Sequence, residues 1–140
     1  MLAQHPANLM LRFVLEVVSL IVVGQWGWYR GEGWPAAARL ALTIGLPLVM
    51  ATLWAVFRTP EDPSGGPGAR GKGGRKGGHA VIAVPGKLRL ALELAFFGFA
   101  VWTTFDRGQT ALGLGLAFVL ALHHIWSLNR LAWLWRASGK

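Results

Sequence analysis

The chain has no cysteine, which excludes disulfides, thiol nucleophiles and thiolate metal sites. It carries little charge of either sign: 14% of its residues are Asp, Glu, Lys or Arg, where a soluble domain carries roughly 25%. Acidic groups are the scarcest, six against 14 Lys and Arg. No Ser/His/Asp arrangement can be traced among the polar residues, nor an acidic pair suited to metal-dependent phosphate or prenyl chemistry. The sequence therefore argues against an enzyme and implies no cofactor. What fills the chain is apolar: 54% of the 140 residues are hydrophobic and the mean hydropathy is +0.43. One domain of this balance points to a membrane.

The apolar residues fall in four runs, about Leu9–Tyr29, Ala36–Phe57, Leu88–Phe105 and Thr110–Leu128. About 20 residues at a 1.5 Å rise cross a hydrocarbon core of ~30 Å. The first run is too long for a signal peptide, holds Glu16 and lacks a small-x-small cleavage site before Trp26. Short turns at Arg30–Pro35 and Asp106–Gln109 make each pair of runs an antiparallel hairpin. Pro47 kinks the second run without ending it. The tail Asn129–Lys140 is amphipathic and suits the interface, with Trp133 and Trp135 as anchors. All eight Trp fall near predicted helix ends, as an aromatic belt requires. The expected fold is all-α: an integral membrane four-helix bundle of two duplicated transmembrane hairpins, over 1–57 and 87–140, joined by a linker over 58–86.

The linker is rich in Pro and Gly, with a low-complexity centre from Gly65 to Gly78. It has too little apolar surface to offset the cost of ordering, and is expected to be disordered. Gly66 to Lys72 spells most of a phosphate-binding loop, but Gly73 stands where Ser or Thr is needed and no strand or helix flanks it. Eleven of the 14 basic residues lie in the linker, the tail and the helix ends beside them; only Arg30, Arg39 and Arg107 lie on the turns. Lys and Arg concentrate on cytoplasmic loops, so both termini and the linker are expected on the cytoplasmic side of a bacterial inner membrane. Arg70, Lys72, Arg75 and Lys76 are placed to meet anionic lipid headgroups, at about 1 kcal/mol each. The alternative is a solvated topology signal with no specific partner; nucleic acid is not favoured.

One motif occurs twice, Leu11-Arg12-Phe13-Val14-Leu15-Glu16 and Leu88-Arg89-Leu90-Ala91-Leu92-Glu93. Arg and Glu at i, i+4 share one helix face and can pair. Setting Ala41 against Ala111 also aligns Gly45 with Gly115, Leu46 with Leu116 and Val49 with Val119, which extends the repeat to whole hairpins. Two hairpins in the same orientation are related by an axis along the membrane normal. Near that axis Arg12, Glu16, Arg89, Glu93, His123 and His124 form the candidate polar cluster. A small-residue stripe, Gly113, Ala117, Ala121 and His124, is expected to face Thr43, Pro47, Ala51 and Trp54. The cluster reads either as Arg–Glu clamps that hold the helices, or as an ion or proton path with Glu16 and Glu93 titrating and His124 relaying. Adjacent His123 and His124 point about 100° apart on a helix and cannot share a metal ion.

Several segments carry a family resemblance: Asn8–Glu16, the exit Phe57-Arg58-Thr59-Pro60, Val84–Gly98 and His123–Arg130. They resemble the YrdB-like family of small bacterial four-helix membrane proteins, classed as a domain of unknown function. The resemblance implies architecture and membrane location, and no activity. Three functional classes follow from the residues. The first is a transport-like or channel-like protein built around the polar cluster; four short helices leave little room for a pore in one subunit, which implies a homo-oligomer or a membrane partner. The second is a structural or accessory membrane subunit, and the third, which the residues favour least, is a small intramembrane enzyme.

Overall fold

The structure, a computed structural model, describes residues 6–58 and 82–136. Helix α1 runs over Pro6–Arg30. A turn with Gly33 at φ +82°, a conformation that suits glycine, leads to α2 over Ala36–Val56. The helix continues through Pro47, as expected. Helix α3 covers Gly86–Asp106 and α4 covers Thr110–Trp126, joined by a tight turn with Gly108 at φ +72°. The amphipathic tail is helical as α5, Leu128–Arg136. α1, α2 and α3 are long and apolar enough to cross a membrane; α4, at 17 residues, is shorter.

α1 and α3 pack together at the centre, with α2 against α1 and α4 against α3. A Cβ on Gly27 would lie 2.7 Å from the Leu42 carbonyl oxygen, so the α1 and α2 backbones touch there. α2 and α4 flank the central pair and share no extensive contact. That corrects the expected facing of their stripes, because α1 and α3 intervene.

Two further features depart from the sequence reading. The linker's two ends pair: β1 (Phe57–Arg58) lies parallel to β2 (Ile82–Ala83), with Phe57 opposite Ile82. On α4, the buried stripe is Gly113, Leu116, Leu120 and His123, while Ala121 is exposed. Leu116 and Leu120 join the core with Phe96 and Phe97, and the gain from burying two leucines sets the rotation of α4.

The interior is unusual in its polarity. Among the described residues, nine apolar and eight polar or charged side chains are buried. Met10, Phe13, Leu48, Phe118 and Ile125 are each at least 60% exposed. Exposed apolar surface on this scale is rare on water-soluble domains and is compatible with a membrane protein.

Candidate functional site

All six predicted site residues lie at the end of the bundle where α1 and α3 begin and α4 ends. Trp54, in the last turn of α2, is the piece around which they gather. The Arg89 guanidinium carbon stands 3.8 Å from the centre of its ring and that of Arg12 5.4 Å, both within cation–π range. The ring also packs on Phe96 and Phe97.

The two motif copies sit in different environments. Arg12 Nε donates to Glu16 Oε1 at 3.0 Å, a local pair whose side chains are 12% and 23% exposed. Arg89 is buried. Its Nη1 donates to the Trp54 carbonyl at 3.0 Å and to that of Phe57. The last carbonyls of a helix have no partner within it, so Arg89, carried by α3, caps α2. Glu93 is fully buried, with Oε1 3.6 Å from His124 Nε2.

His124 Nδ1 lies 2.8 Å from the Leu120 carbonyl. A carbonyl only accepts, so that nitrogen carries the hydrogen and Nε2 of the neutral ring presents a lone pair. Nε2 is buried without a hydrogen-bond partner.

His123 is the inward histidine, with its Nδ1 donating to Asn8 Oδ1 at 3.0 Å. Asn8 Nδ2 donates in turn to Ser127 Oγ at 3.0 Å. This buried chain ties the start of α1 to the end of α4. Sequence reasoning missed Asn8, Ser127 and the role of Trp54. Asn8, one turn before Arg12, extends the polar face of α1 and was the available signal; Ser127 carried none. Among the described residues, no group of three or more His, Asp and Glu is placed to hold a metal ion. Arg70, Lys72, Arg75 and Lys76, expected at lipid headgroups, lie outside the described residues.

The opposite end has its own polar contacts. Asp106 accepts from Trp26 Nε1 at 2.7 Å and from Arg30 at 2.6 Å. Arg107 donates to Gln25 at 2.9 Å.

Comparison with known proteins gives a consistent outcome. Residues 10–121 match DUF2568, a protein family described as of unknown function. "Uncharacterized protein YrdB" of Bacillus subtilis (strain 168) is 34% identical over 130 residues, covering 93% of this chain and 94% of that protein. No solved structure matches.

Proposed function

The chain belongs to the DUF2568 family, which has no assigned activity, and from its geometry we propose a multi-pass membrane protein acting as a structural or accessory subunit. In this reading the Arg/Glu/His cluster clamps the helices together at one end. The observation that carries it is the closure around Glu93: the carboxylate has no exposure, and Arg89 beside it is engaged on the carbonyls of α2. Ionisable groups in a membrane segment face the bundle interior and find partners there. The exposed apolar flanks of α2 and α4 are then the surfaces offered to lipid or to a membrane partner.

The proposal includes an internal duplication into two hairpins. It is supported by the repeated motif, by the packing of α1 on α3 and by the convergence of both motif arginines on Trp54. It also places both termini and the linker in the cytoplasm, on the basic-residue asymmetry.

A second reading, ion or proton transport, is favoured by one observation, the His124 Nε2 lone pair turned toward Glu93. Proton flux in proteoliposomes separates the two. The clamp reading expects wild type, Glu16→Gln and Glu93→Gln to match protein-free liposomes. Flux present in wild type and lost in Glu93→Gln establishes the second reading instead.

A further inference from the structure

A groove of about 950 Å³ runs along α1 and α2, away from the buried cluster. That is near the upper end of small-molecule sites, which run to about 1,000 Å³. Its floor includes Val17, Ile21 and Pro47; Glu32, Arg39 and Arg107 line its polar part. Ile21 is 54% exposed, so the floor opens sideways along the helices. From Val17 to Tyr29 the groove follows α1 for about 18 Å at 1.5 Å per residue, close to half of a ~30 Å hydrocarbon core.

The cations at the mouth are held in place but not neutralised. Arg39 donates through Nε to the Trp28 carbonyl at 2.8 Å and lies 3.8 Å from the centre of the Trp28 ring. Arg107 uses one Nη1 hydrogen on Gln25. Each guanidinium has five N–H donors, so both keep free ones. Neither pairs with a carboxylate among the described residues, whereas Arg30 is paired with Asp106. Against the single carboxylate of Glu32, the mouth is net positive.

We propose that this groove binds one anionic phospholipid of the leaflet on the turn side. Its phosphodiester sits at Arg39 and Arg107, and an acyl chain lies along Val17, Ile21 and Pro47. Guanidinium forks match phosphate oxygens in geometry and charge, and the apolar floor matches the length of one leaflet. The inference rests on the membrane reading above.

The test is native mass spectrometry of the full-length protein in detergent, with phosphatidylglycerol or phosphatidylethanolamine added. Wild type should retain one phosphatidylglycerol, about tenfold more tightly than phosphatidylethanolamine, a ratio worth about 1.4 kcal/mol. Arg39→Gln/Arg107→Gln should abolish that preference. Ile21→Trp, a change at an exposed position that fills the floor, should weaken retention even where the arginine variant folds poorly. A quadruple change of Arg70, Lys72, Arg75 and Lys76 to Gln should leave it intact. Unchanged retention in the Ile21→Trp and arginine variants, or loss only in the quadruple variant, overturns the proposal. Carbonate extraction of membranes checks its premise separately: release of the protein refutes the membrane reading, whereas an embedded protein that retains no lipid refutes the groove alone.

Discussion

Arg12 and Arg89 occupy the same place in the same six-residue motif, yet they hold different parts of the molecule. Arg12 joins a neighbour one turn away at a partly exposed site, where such a pair contributes about 0.2–1 kcal/mol. Arg89 reaches across to the end of another helix and donates to the Trp54 carbonyl in its last turn and to that of Phe57 just beyond it. Leaving a buried acceptor unsatisfied costs about 1–3 kcal/mol. Arg89→Met is therefore expected to lower stability by at least about 2 kcal/mol and Arg12→Met by less than about 1 kcal/mol. Unfolding in detergent measures both; equal losses would show that the motif copies are equivalent anchors. The motif itself was legible because charge is so rare in this chain. Which histidine turns inward was not. Two adjacent histidines differ by about 100° around the helix, and the choice was made by Leu116 and Leu120, whose burial outweighed the small-residue stripe.

The helices were legible as elements because each apolar run is long and bounded by Pro, Gly or a charged turn. Their ends were less so: α4 stops at Trp126. The pairing of Phe57–Arg58 with Ile82–Ala83 left no trace in the sequence, since two residues are too few to show a strand's period of two. That pairing has a consequence for the segment between. The ends of the linker are already side by side, so its middle need not hold α2 and α3 in position. Because its composition offers too little apolar surface to bury, deleting Ser64–Gly78 is expected to change stability by no more than about 0.5 kcal/mol. A larger loss in thermal unfolding would give the segment a structural role.

At the scale of the whole molecule, a polar interior within an apolar exterior unites the buried cluster, the exposed flanks of α2 and α4 and the basic asymmetry of the chain. Composition alone indicated a membrane environment; the closure of the cluster was not legible, because it depends on side chains from four helices meeting at one end. That closure is the central claim, and the cysteine-free sequence allows it to be tested without background labelling. Ser19 is fully buried in α1, and Ser19→Cys changes little but the chalcogen. Gly71→Cys places a second thiol in the linker as a reference. With a membrane-impermeant maleimide applied to right-side-out and inverted vesicles, the account predicts an inert thiol at position 19 from both sides. The thiol at position 71 should react from the cytoplasmic side only. Rapid labelling at position 19 would reveal a water-filled path through the bundle and contradict the sealed clamp.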